Sequence, residues 1–158
     1  MNKISWLKIT LICMTTLISP ATAVAGEINT GPRDGELAIY GFDPVAYFTE
    51  QRAAEGDASI NYRWLGAQWH FTSEKHRQMF SEDPVRYAPQ YGGHCAHAVV
   101  YGFAEKIVDP EAWRIIDGKL YLFGSREAAI RFLEGQGSLN KSRKKWPKIQ
   151  ARLLEESN

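Results

Sequence analysis

Beyond its first 25 residues the chain has one cysteine, no long apolar run and no excess of charge of either sign. The first 25 residues read as a secretory signal. Lys3 and Lys8 give a positive start, Ile9 to Ile18 is nearly unbroken apolar or small, Pro20 ends it, and Ala23-Val24-Ala25 puts small residues before Gly26. Cleavage is expected after Ala25, with export to the periplasm. The apolar stretch falls short of the roughly 20 residues that a membrane-spanning helix needs. Cys13 lies inside it behind Ile12, where a lipoprotein signal needs a small residue, so Cys13 leaves with the leader and Cys95 stays without an internal disulfide partner. Of 19 basic residues Lys3 and Lys8 leave as well, and 17 against 18 acids gives nothing to attract nucleic acid. Gly-x-Ser-x-Gly, His-Glu-x-x-His, Cys-x-x-Cys, a phosphate loop and a dinucleotide fingerprint are all missing, which removes the common signatures of hydrolase, metalloprotease, disulfide-exchange and nucleotide chemistry.

Aromatics and alternating strand patterns are plentiful. Five tryptophans, seven tyrosines and seven phenylalanines are spread along a chain long enough for one domain with a real core. Residues 26–36 are polar and glycine-rich and read as a flexible lead-in. Asp43-Pro44 marks a helix start, with one short turn over Val45 to Phe48. Ile60, Tyr62 and Trp64 alternate, Gly66-Ala67 turns the chain, and Trp69 and Phe71 return, followed by a helix capped by Ser73 that carries His76, Met79 and Phe80 on one face and closes at Asp83-Pro84. A second pass has the same design: a strand over Trp113 to Ile116, a turn at Asp117-Gly118, a return over Lys119 to Phe123, and a helix from the Ser125 cap through Glu134. Gly66 and Gly118, Phe71 and Phe123, Ser73 and Ser125, and Phe80 and Phe132 are each 52 apart, which suggests an internal repeat. The expected fold is a small α+β single domain over residues 37–135. It comprises two strand-strand-helix units with a short helical insert between them, followed by a basic helical tail over 136–158 in which Pro147 starts the last helix.

The insert carries Cys95 within Gly92-Gly93-His94-Cys95-Ala96-His97, and the helix expected from His94 stops at Gly102. A thiol at a helix N-terminus beside imidazoles has the donor set for Cu(I) or Zn(II) and the setting of an activated nucleophile. His94 and His97 share a helix face, and Cys95 joins them only if His94 lies in the turn before the helix. Packing competes evenly with chemistry here, because Cys95, Ala98, Val99 and Gly102 also form a stripe of small residues suited to a core. His76 suits a semi-buried histidine as well as a ligand, whereas His70 points to solvent. In the tail, Lys141, Arg143, Lys144, Lys145 and Lys148 surround Trp146. They read as a solvated face, with contact to an anionic membrane surface or an acidic protein as the alternative.

Several stretches together resemble the YHS domain family. They are Gly41-Phe42-Asp43-Pro44-Val45-Ala46-Tyr47-Phe48, Trp69-His70-Phe71-Thr72-Ser73, Asp83-Pro84 with Tyr87-Ala88-Pro89-Gln90-Tyr91-Gly92-Gly93, Cys95-Ala96, and Asp117-Gly118-Lys119-Leu120-Tyr121-Leu122. The match covers roughly residues 38 to 147 in the family's order and is similar in particular to its stand-alone exported bacterial branch. The resemblance implies a heavy-metal binding module. Cysteines of the metal-associated members fall at Ala46, Thr72 and His76, so only His76 keeps a ligand type, and the branch's usual aromatics fall at His94 and His97. The expectation is thus a small exported binding module that takes copper or zinc through Cys95, His97, His94 and His76. The alternatives are a thiol-dependent enzyme or redox partner using Cys95, and an interaction domain whose cysteine is inert and buried.

Overall fold

The computed structural model describes residues 28–31 and 35–156. The expected leader and its cleavage site lie outside them. The chain forms a small α+β domain of helices and two antiparallel two-stranded sheets. α1 (Ala46–Thr49) precedes the hairpin of β1 (Asp57–Trp64) and β2 (Ala67–Phe71), and α2 (Glu74–Glu82) and α3 (Pro84–Tyr87) follow. Next come the short α4 (Ala96–Tyr101), the hairpin of β3 (Asp109–Ile116) and β4 (Lys119–Phe123), α5 (Arg126–Glu134) and the long α6 (Ser138–Glu156).

The 52-residue repeat holds to the residue. β1 and β3, β2 and β4, and α2 and α5 begin and end at that spacing. Both hairpins turn through two left-handed residues, Leu65-Gly66 (φ 49° and 75°) and Asp117-Gly118 (φ 52° and 70°). Such a pair matches the right-handed twist of the strands it joins. The first turn is therefore Leu65-Gly66, one residue earlier than the glycine-alanine pair suggests, because Ala67 is wholly buried as the first residue of β2. The register slips between Asp57 and Asn61 and again between Asp109 and Trp113. Ser73 caps α2 by accepting from the His76 N–H, and Ser125 caps α5 by accepting from the Ala128 N–H, each at 3.2 Å.

The repeat also reaches further upstream than the strands. Ile39, Tyr40 and Gly41 have φ of 42°, 56° and 83°, and Tyr91, Gly92 and Gly93 have φ of 59°, 60° and 85°. Each left-handed run reverses the chain and closes with a backbone bond, Phe42 N to Ile39 O and His94 N to Tyr91 O. The short helix between the two strand-strand-helix units is thus the counterpart of α1, and Cys95 occupies in the second copy the place of Asp43 in the first.

Each copy has an aromatic centre in which the strand packs on the helix that follows. Phe71 and Phe80 have ring centroids 5.3 Å apart, as do Phe123 and Phe132. Trp69 and Tyr121, also equivalent, pack on the same two helical phenylalanines at 4.9 and 6.2 Å. The copies interlock: Tyr47 on α1 is fully buried, donates its hydroxyl to Pro110 O at 3.1 Å and meets Trp113 edge-on.

The described segments before and after the repeat are more closely held than the sequence suggests. In the lead-in, Asn29 is buried, its N–H donates to Gly92 O, and its Nδ2 donates to Gly93 O and Lys106 O. After Gly135 the chain is a docked helix rather than a separate tail, and α6 runs through Pro147 instead of starting there. Proline removes one intrahelical bond, but Ser142 and Ile149 are buried and Trp146 and Leu153 pack on the core, so tertiary contact outweighs the local preference.

If the copies are equivalent in energy as in geometry, Phe80→Ala and Phe132→Ala should each cost about 3–5 kcal/mol. Ser73→Ala and Ser125→Ala should each cost about 1 kcal/mol. Denaturant midpoints of the four variants, converted with a common slope, check this. A large loss at one phenylalanine beside a negligible loss at the other would end the equivalence.

Candidate functional site

The equivalent residues Asp43 and Cys95 sit at the start of their short helices and are filled with different chemistry. Asp43 is fully buried. Its Oδ1 accepts from the N–H groups of Val45 (2.8 Å) and Ala46 (3.3 Å). Its Oδ2 accepts from the N–H and hydroxyl of Thr72, both at 2.8 Å, and lies 2.6 Å from His76 Nδ1. The Asp-Pro pair read as a helix start is thus also the anchor of a charged network joining α1, the end of β2 and α2. His76 Nε2 faces Thr49 Oγ1 at 3.2 Å and Glu50 Oε1 at 3.8 Å. Both ring nitrogens of His76 are engaged, which leaves it no free lone pair for a metal.

The second copy keeps the seat but not the charge. Cys95 is buried, and its Sγ accepts from the Gly124 N–H at 3.2 Å, as Asp43 accepts from the equivalent Thr72. A Cβ on Gly124 would stand 3.3 Å from Ile107 O, a tight approach to main chain, and 3.8 Å from Sγ, an ordinary contact, so the crowding that glycine avoids is with the Ile107 carbonyl. The partner of His76 in this copy is Ala128, which carries no polar group.

The four expected ligands are not gathered into one cluster. His94 does lie in the extended turn before α4, as convergence requires, but its ring packs toward Trp146 on α6. His97 stacks edge-on against Tyr101 at 5.2 Å, and Cys95 faces Gly124. Among the described residues no group of three or more His, Cys, Asp or Glu side chains is placed to hold a metal ion. Two atoms on the residues that flank Cys95 in sequence nonetheless stand out: Nδ1 of His94 and Nδ1 of His97 are buried without a hydrogen-bond partner among the described residues. Burial pushes the His94 imidazole down to about 4, Lys106 adds to this, and the Glu105 main chain and carboxylate oppose it. Burial also lowers His97, and Arg131 adds to that. Both are therefore held toward the neutral, lone-pair-bearing form.

The basic cluster is divided by the helix that carries it. Arg143 turns to Asp117 and Tyr121, while Trp146 faces inward against Tyr91 and His94. Lys144, Lys145 and Lys148 face a different side, where Arg152 joins them.

Two features of the site escaped the sequence reading. The Asp43–His76 pair spans 33 residues and has no local signal beyond the Asp-Pro step. The matching of Asp43 with Cys95 was in principle readable from the 52-residue spacing, but their side chains share no chemistry. Compared with known protein families, curated proteins and solved structures, the chain finds no match.

Removing His76 leaves the buried Asp43 carboxylate without its ring partner, so His76→Ala should cost about 3–5 kcal/mol. Cys95→Ala should cost only about 1 kcal/mol, the scale of one buried methyl-sized group. Denaturant titration of the two variants checks the ordering, and equal losses would contradict it.

His94 predicts a pH effect of defined sign. Its folded value is depressed to about 4 from an ordinary 6.5, so between these the unfolded chain binds the extra proton. Stability should then be complete above about pH 6.5 and fall with acidification, by at most about 1.4 kcal/mol per pH unit. His94→Phe installs the residue found at the equivalent Phe42 and should flatten the dependence of unfolding midpoint on pH between about 4.5 and 6.5. An unchanged slope would remove His94 as its source.

Proposed function

We propose that the chain is a small exported YHS-like binding module whose ligand is a soft metal ion of the copper class, held by Cys95 with a flanking histidine, His97 or His94. What supports the reading is that the residues flanking Cys95 in sequence, His94 and His97, each hold a buried ring nitrogen without a partner among the described residues. A native interior rarely leaves such atoms unsatisfied without a water or an ion to account for them. The donor set favours Cu(I) over Zn(II). Structural zinc takes four ligands, whereas thiolate and imidazole suit Cu(I) with fewer.

A second reading, in which Cys95 is a working thiol in an enzyme or redox partner, has its own observation. Sγ occupies a position that in the first copy seats a carboxylate, and it accepts a main-chain N–H there. Backbone donors aimed at a sulfur serve a thiolate nucleophile as well as a ligand.

One experiment separates these readings. Reduced protein titrated with Cu(I) against a competing chelator should saturate near one equivalent, protect Cys95 from thiol labelling, and lose at least tenfold in affinity on Cys95→Ala or on replacement of the liganding histidine. Rapid labelling without metal and no copper uptake would favour the thiol reading. No uptake and no labelling until the protein is denatured would sink both and leave a packed cysteine in an interaction domain.

A further inference from the structure

At the end of α4 opposite Cys95, α6 lays a cationic face against the helix terminus. Lys144, Lys145, Lys148 and Arg152 line a cavity of about 380 Å³ together with Ile149 and Gly102, and no carboxylate among the described residues lines it. Two of these cations are fixed by the terminus itself: Lys145 Nζ donates to Val100 O at 2.7 Å and Arg152 Nη2 to Gly102 O at 3.2 Å. These carbonyls belong to the negative end of α4 and hold the cations in place. Lys144 and Lys148 are exposed and have no acceptor or carboxylate partner among the described residues. Gly102 caps α4 at φ 99°, and the residues on either side of it, Tyr101 and Phe103, are 64% and 51% exposed. Two large exposed aromatics on either side of Gly102, which lines this basic cavity, are not explained by the core, which they do not join.

We infer that this corner binds the phosphate groups of an anionic lipid surface, with the cations of α6 on the headgroups and Tyr101 and Phe103 in the interfacial layer. The cavity alone would suit any phosphate oxyanion. The aromatics select the lipid source, since amphipathic rings settle at the headgroup boundary and free phosphate has no use for them. Fixing Lys145 and Arg152 in advance leaves fewer side chains to order on binding.

The test is sedimentation of the full chain with phosphatidylglycerol vesicles, with phosphatidylcholine vesicles and inorganic phosphate as further arms. Partitioning should require phosphatidylglycerol and weaken with salt. At about fivefold per cation removed, Lys144→Gln with Lys148→Gln should lower it roughly 25-fold. Lys75→Gln with Lys119→Gln removes the same charge from exposed positions on α2 and β4 and should change it less than threefold. Tyr101→Ser with Phe103→Ser should weaken vesicle binding and leave phosphate binding unchanged. The leader is the same in every variant, so a difference between variants comes from the substituted residues. Equal losses from the two lysine pairs would reduce the effect to net charge and overturn the inference. So would equal binding to the two vesicle types, phosphate binding with no vesicle response to the aromatic pair, or binding to polyglutamate but not to vesicles. Unchanged thermal midpoints confirm that the variants are folded.

Discussion

The Asp43 carboxylate is the junction on which the first copy is assembled. It is wholly buried and has five donors around it: two N–H groups opening α1, the N–H and hydroxyl of Thr72 ending β2, and the ring of His76 on α2. A charge taken out of water is tolerated only when its lone pairs are satisfied, so the three elements are constrained to meet at these two oxygens. The left-handed run at Ile39, Tyr40 and Gly41 brings the chain there, at the expense of two non-glycine residues in a backbone region they rarely adopt. The aromatic packing of Phe71, Trp69 and Phe80 is non-directional by comparison. It makes the unit stable, whereas the carboxylate fixes how its elements meet.

The second copy retains the backbone of this junction after the charge is gone. Its left-handed run, its short helix and its donor at the strand end all recur, but Cys95, Gly124 and Ala128 stand where Asp43, Thr72 and His76 stand in the first. Backbone geometry is thus kept by the fold, while the side chains at the junction have been released from holding it together. Strand-helix packing carries the second copy instead, with Phe123 against Phe132 and α6 closing over α4, Tyr91 and Tyr121. A site relieved of structural duty is free to carry other chemistry, and Cys95, the one cysteine among the described residues, is found there.

How much the sequence disclosed follows from where each interaction lies along the chain. Hairpins, caps and helices were legible because their signals are local: alternation at Ile60, Tyr62 and Trp64, Asp117-Gly118 at a turn, and serine before each helix. The repeat was legible for the same reason, since both copies use the same local devices. The exact turn at Leu65-Gly66 was missed because leucine is an uncommon residue for a left-handed position, and only the burial of Ala67 fixes the register. Pro147 misled, because its local cost is set aside by contacts more than 50 residues away, such as Tyr91 Oη on Ser142. The candidate site was least legible. The chain places thiol and imidazoles next to one another, but neighbours in sequence diverge in space, and here they turn to Gly124, Trp146 and Tyr101.

The short helix α4 ties these features together. At its N-terminus stands Cys95, and at its C-terminus Gly102 with the cations of α6. Seven helical steps separate the two by only about 10 Å. The helix is too short to be stable alone, so its position comes from what surrounds it. Asn29 holds the preceding turn, Glu105 O accepts from the Cys95 N–H, and Lys145 and Arg152 hold the last carbonyls. Because both ends are clamped, a load on the basic corner is transmitted to α4 as a whole rather than absorbed by a flexible loop. The corner and the thiol nonetheless face different neighbours, the corner α6 and the buried thiol the β4–α5 junction. A surface resting on the corner would meet α6 and not Gly124, against which the Cys95 sulfur is buried.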